Sequence, residues 1–354
     1  MKRGLGIALA LAALPALGQQ PQPALQRLDA EQRSISLSGL APQGLDVDLE
    51  TGLVYVSNNG NLTASCQGNG QGVRSSMSVV DPVALRELTR ADGIGGPVWP
   101  LVDPRRGVVY SANSGAKTLT VHARGTAALL ATLALGGRPH QMGLDPARPF
   151  LVVSNTRDET QTWISVVDAD AFALAGNLAV TPLPHGVAVD PDRHVAYVSS
   201  VSDGTNAIVD LASGAAAGSL RTTDSASPNA NMNAFSRRLR RLFVSDGARG
   251  GAVAVDVDTG ASAGVIRFGA PAWGMQVDEA TGLLYAALPG LDAIGVADAA
   301  SAAPLGLIPV DGCPFAVRLD TARRLGFSTS MSQGRLTRFD LGRVEAALGR
   351  APAR

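Results

Sequence analysis

Short apolar runs alternate with polar, glycine- and aspartate-rich breaks along almost the whole chain. One phrase recurs. A Pro slot is followed by a polar or aromatic residue, a short apolar run, an Asp slot, a turn, then an aromatic slot and small residues. Residues 184–200 read PHGVAVDPDRHVAYVSS, 42–58 read PQGLDVDLETGLVYVSN, and 97–113, 139–155, 272–287 and 314–330 keep the same order. A degraded copy, ANMNAFSRRLRRLFVSD, spans 230–246. The Asp slot falls at Asp48, Asp103, Asp145, Asp190, Ser236, Asp278 and Asp320. The aromatic slot falls at Tyr55, Tyr110, Val152, Tyr197, Phe243, Tyr285 and Phe327. Both series step by 55, 42, 45, 46, 42 and 42 residues, and the offset between them is always 7.

Third runs follow each phrase (76–82, 163–170, 206–212, 252–260, 293–300), and fourth runs follow some of those (130–137, 264–269, 305–312). Their β-branched residues between turn residues read as strands. Four short strands per repeat of this length predict a propeller blade. The fold class expected is therefore all-β, a seven-bladed β-propeller with four-stranded blades. The seventh unit has three strands (314–320, 324–330, 334–340), and an orphan run, residues 33–39, precedes unit one. That run is expected to pair with 334–340 and complete the last blade, leaving no open edge between first and last blades.

Composition fits this picture. Among 354 residues 40 are Gly and 21 Pro, and 24 of the 30 acidic residues are Asp, which suits turns better than helices. Thirty basic and thirty acidic residues leave no overall electrostatic footprint for nucleic acid. Met1-Lys2-Arg3, an apolar stretch over 4–17 and Ala16-Leu17-Gly18 read as a cleavable signal with the cut after Gly18. The expected order is a signal peptide (1–18), a flexible segment (19–32), the propeller (33–342) and a tail (343–354). No later run resembles a membrane span. A periplasmic or secreted location follows, where disulfides persist.

The Tyr55–Asn58 phrase, its counterpart at 152–155 and the V-V-D strands at 76–82 and 163–170 resemble the YVTN-repeat propeller family. A secreted seven-bladed version is similar to the periplasmic YncE-like proteins. The likeness covers roughly residues 33–340. It implies a scaffold fold rather than an activity, since blades serve many functions. Single-stranded nucleic-acid binding is implied by the YncE-like likeness and stands as an alternative.

Strand alternation places the residue after the Pro slot near one mouth of the central channel, the top. These residues are Gln43, Val98, His140, His185, Asn231, Trp273 and Phe315. With Gln141 and Trp99 they form the candidate ligand site. His140 and His185 occupy equivalent places in adjacent blades and are the candidate metal donors, although a metal usually takes three or four protein ligands. The pair reads rather as polar rim residues copied by duplication of one blade, and no cofactor is expected. Asp46 and Arg318 lie lower on inner strands and could pair. The repeated Asp slot, and Asp168/Asp170 and Asp256/Asp258, read as turn caps rather than ligands. Arg237, Arg238, Arg240 and Arg241 lie in a bottom turn of blade five and read as a solvated, arginine-biased surface. Cys66, in the long top loop of blade one, and Cys313, entering blade seven, meet across the closing seam and are expected to form a disulfide.

The function expected is a non-catalytic binding or interaction scaffold, its partner a small molecule or periplasmic protein at the top face. The alternatives are a lactonase-type hydrolase or a metal or redox enzyme using His140 and His185. No nucleophile elbow, HExxH, phosphate loop or haem-attachment motif appears.

Overall fold

In the computed structural model, residues 24–61, 66, 75–156, 162–225 and 232–350 are described. The proposed signal and its cut site, most of the long loop of blade one, and Asn231 lie outside the described residues.

Seven four-stranded antiparallel sheets form the molecule. Within six of them strands follow chain order from the channel outward, and in the seventh the outermost strand comes from the N-terminal end. The first strands of successive blades touch one another in sequence, and that of blade one (Pro42–Val47) also meets that of blade seven (Pro314–Asp320). The ring is therefore closed. Closure is made by Arg33–Ser36, which pairs antiparallel with Arg335–Asp340 in the register Arg33↔Arg338 to Ser36↔Arg335. The expected strand is shorter than 33–39 because the backbone turns after Ser36, leaving Leu37 N–H bonded to Gly334 O at 3.1 Å.

Residues 26–32 correct the expectation of a flexible segment. They run beside the outer strand of blade six (Ala303–Pro309), with Leu28 N–H on Leu307 O at 2.8 Å and Leu307 N–H on Gln26 O at 2.9 Å. Leu28 and Ala30 are buried there. At the other end, Leu341–Ala347 forms a helix capped by Asp340, and Leu341 and Val344 are buried. Apolar burial thus orders both flanks.

Blades pack face to face through the apolar alternate positions. The aromatic slot supplies the largest of these, and Tyr55, Tyr110, Tyr197, Phe243, Tyr285 and Phe327 are all buried. Truncating such a ring costs about 3–5 kcal/mol.

The Asp slot is structural, as its turn context implies. Asp48 accepts Glu50 and Thr51 N–H, and Asp190 accepts Asp192 and Arg193 N–H. Each of several slot carboxylates also takes a basic partner from the following blade: Asp48–Arg124 at 2.5 Å, Asp190–Arg240 at 2.7 Å, Asp278–Arg324 at 2.8 Å, and Asp145–His194. These buried pairs lace the bottom of the ring. Asp168 and Asp256 cap the turns between third and fourth strands, taking Asp170, Ala171, Asp258 and Thr259 N–H.

Candidate functional site

A propeller's innermost strand has one edge without a neighbour, and its buried N–H groups still need acceptors. This chain supplies them from side chains of the preceding blade. Asp46 Oδ2 accepts Val102 N–H at 2.8 Å, Gln141 Oε1 accepts Val187 N–H at 2.6 Å, and Gln276 Oε1 accepts Leu319 N–H at 2.9 Å.

A second set of clamps comes from the Ser or Thr of the recurring phrase. Ser154 Oγ accepts Gln141 N–H at 3.0 Å and donates to His185 O at 2.5 Å. Thr329 Oγ1 accepts Ala316 N–H at 3.3 Å and donates to Gln43 O at 2.6 Å. Ser199 and Ser245 accept Gly186 and Met232 N–H. These hydroxyls fix the backbone of the residues at the channel mouth. Blades two and six carry Ala112 and Ala287 instead, and these two blades bear the mouth tryptophans.

Rings from five blades meet at that mouth. The imidazoles of His140 and His185 stack with centroids 3.8 Å apart and planes at 38°. Phe315 lies 6.3 Å from His140, 6.2 Å from Trp99 and 5.0 Å from Trp273, the last edge-on at 78°. Blades three and seven face each other across the ring, so Phe315 and His140 span the channel. Trp99, His140, Phe315, Gln43 and Gln141 are buried, whereas His185 and Trp273 are half-buried and face solvent. Trp99 reaches inward because blade one has glycine opposite it. A Cβ on Gly44 would stand 2.4 Å from Val98 O and 2.7 Å from Trp99 Cε3. In blade two the inner strand resumes pairing at Trp99↔Ala112, so Trp99 rather than the fully buried Val98 takes the mouth position.

Below the rings, Arg318 of blade seven and Asp46 of blade one pair across the seam, with Nε 3.6 Å from Oδ1. Trp99 covers the guanidinium at 4.9 Å. Burial pushes the Asp46 carboxyl above its ordinary value, against the opposing pull of Arg318 and Val102 N–H. Burial likewise lowers Arg318, and Asp46 opposes that.

The two cysteines are bonded, Cα atoms 5.8 Å apart. The bridge is buried, with Cys66 Sγ 3.7 Å from Met331 Sδ, and it anchors the long loop of blade one two residues before Phe315.

His140 and His185 are brought together, but among the described residues no group of three or more His, Cys, Asp or Glu converges on a metal position. The bottom arginines are largely engaged. Arg237 pairs with Asp192 at 2.5 Å, Arg240 with Asp190 and Asp258, and Arg241 donates to Ala299 O at 3.1 Å. Among the described residues no helix is long and apolar enough to cross a membrane. Sequence reasoning did not find Gln276 or the clamping serines. The signal for Gln276 was its place, two residues before the Asp slot, the same as Asp46 and Arg318.

No family model matches the chain, and no curated protein matches it in sequence. Many solved chains share the fold. One, from Kuenenia stuttgartiensis hydrazine synthase, superposes with a TM-score of 0.69 at 12% identity, covering 86% of this chain and 97% of that chain. At that identity the likeness is one of fold.

Proposed function

We propose that this propeller is an exported binding scaffold whose ligand sits at the top-face funnel. The carrying observation is the convergence of Trp99, His140, His185, Trp273 and Phe315 from five blades on one mouth. His185 and Trp273 are half-buried and present part of their rings at the mouth, while the buried members hold them in place. Aromatic surface with few polar groups is the usual lining of a small-molecule site. The site is read as non-catalytic: the two imidazoles stack on each other, and among the described residues no group of three metal donors gathers around them. Export is supported by the Cys66–Cys313 bond, which suits an oxidising compartment, together with the signal-like N-terminus. The YVTN-repeat likeness remains a reading of the repeated phrase. The nucleic-acid alternative loses support because Arg237 and Arg240 already face carboxylates and Arg241 donates to backbone carbonyls.

Native mass spectrometry tests this. Protein incubated with the small-molecule fraction of spent culture medium should carry a stoichiometric adduct that His185→Ala/Trp273→Ala loses. An adduct retained by that variant, or none in the parent, would overturn the reading. A stoichiometric metal lost in His140→Ala/His185→Ala would replace it with the metal-enzyme alternative.

A further inference from the structure

The layer beneath the rings has a chemical bias that follows from how the inner strands are clamped. The residues two before the Asp slot are Asp46, Leu101, Gly143, Ala188, Ala234, Gln276 and Arg318. Blades six, seven and one thus contribute a contiguous polar arc. Blades three to five contribute glycine and alanine there, and at Gly143 the next blade packs in, since a Cβ would stand 2.5 Å from Val187 Cγ1.

Within the arc the fold consumes acceptors and leaves donors. Gln276 spends its oxygen on Leu319 N–H, which fixes the amide so that its NH2 is the remaining end. That NH2 makes no hydrogen bond to a described residue, and the side chain is half-buried. Asp46 spends one oxygen on Val102 N–H and turns the other toward Arg318. Arg318 has five N–H donors. One goes to Val317 O at 3.0 Å. The approach of Nε to Asp46, at 3.6 Å, is a charge contact beyond hydrogen-bond length. At 19% side-chain exposure the guanidinium is enclosed, and Trp99 holds it from one face. A guanidinium fork fixed by an aromatic face, beside an amide NH2, matches a carboxylate in shape and charge.

We propose that the channel layer formed by Arg318 and Gln276 is a carboxylate-binding subsite, so that the funnel ligand is a small organic acid. This rests on the reading of the funnel as the binding site and names the class of its ligand. The acid group would take the guanidinium fork and the Gln276 NH2, and the remainder of the molecule would extend toward the rings of the mouth.

The test reads tryptophan emission. In full-length protein carrying Trp163→Phe, Trp99 and Trp273 are the remaining tryptophans, and Trp99 lies against Arg318. Acetate and benzoate are titrated beside their uncharged matches, acetamide and benzamide, at constant ionic strength. At least one acid is expected to change this emission saturably, with its amide at least tenfold weaker. Gln276→Glu keeps an oxygen for Leu319 N–H but replaces the free NH2 with a second oxygen, and should abolish the response. Arg318→Gln should do the same, with unchanged far-ultraviolet circular dichroism. No saturation by either acid, amides as effective as acids, or an undiminished response in Gln276→Glu would overturn the subsite. Loss of the natural adduct in His185→Ala/Trp273→Ala alongside such a failure would leave the funnel reading standing and the ligand class wrong.

Discussion

Breaking the Cys66–Cys313 bridge should lower the melting temperature by a calculable amount. The bond spans a sequence separation of 247 residues. In the chain-entropy picture a cross-link over so long a loop removes about 18 cal/mol/K from the unfolded ensemble, or about 5.5 kcal/mol at 25 °C. Roughly 310 propeller residues at ~2.1 cal/mol/K each give an unfolding entropy near 0.65 kcal/mol/K, so the expected shift is about 8 °C. Both sulfurs lie in a buried apolar cluster with Trp99, Phe315 and Met331. Reduced thiols would stay there as small hydrophobes, so reduction should act mainly through the unfolded state. Thermal melts of the oxidised protein, the reduced protein and Cys66→Ala/Cys313→Ala, with thiol titration of denatured oxidised protein, make the comparison. A difference under 2 °C, or two free thiols without reductant, would refute the reasoning.

The bridge and the N-terminal strand close the same seam by different means, so their effects should not add. Deleting residues through Gly39 uncovers the edge of Arg335–Asp340, and light scattering should show aggregation that deepens when the bridge is also removed; a monomeric, equally stable truncation contradicts the closure argument. Gly44→Ala should displace Trp99 and cost about 1–3 kcal/mol, seen in near-ultraviolet circular dichroism and denaturant melts. His122 is fully buried, with Nδ1 at 3.0 Å from Ala127 O and Nε2 at 2.8 Å from Thr120 Oγ1, and burial holds its pKa below the ordinary value. Its stabilising contribution is therefore complete above about pH 6.5 and is lost as pH falls below that, with a limiting slope of about 1.4 kcal/mol per pH unit. Urea melts between pH 7.5 and 5 should show that slope in the parent and lose that share of it in His122→Leu.

The architecture was legible because a seven-residue offset held through seven copies leaves one way to build the ring. Pairing of Arg33–Ser36 with the last strand followed from counting strands, and the disulfide followed from topology. Contacts between blades were harder to read. The pairing of Asp46 with Arg318 followed from the adjoining of blades one and seven, but the placing of Gln276 against Leu319 did not follow from periodicity. The docking of residues 26–32 was missed because Leu28 and Ala30 are too few to make a pattern, yet an outer strand already formed gives them a surface to bury against. Trp99 was placed at the mouth by proximity, but its insertion over Gly44 depends on where pairing resumes in blade two, a one-residue effect invisible in the repeat.

What distinguishes the site from the scaffold is departure from the repeat. A hydroxyl clamps the mouth backbone in blades three, four, five and seven, so its job there is structural. Ala112 and Ala287 give up that hydrogen bond, and the same two blades carry large indoles at the mouth. The layer below repeats the logic: one position holds small residues in three consecutive blades and Gln276, Arg318 and Asp46 in the next three. Two of those three polar groups serve the backbone through an oxygen. Arg318 meets Asp46 across the seam and gives one N–H to Val317 O, which leaves further N–H donors that the fold does not use. Its guanidinium lies against Trp99, from one of the two blades that lack the clamp, and this links the two departures into one site.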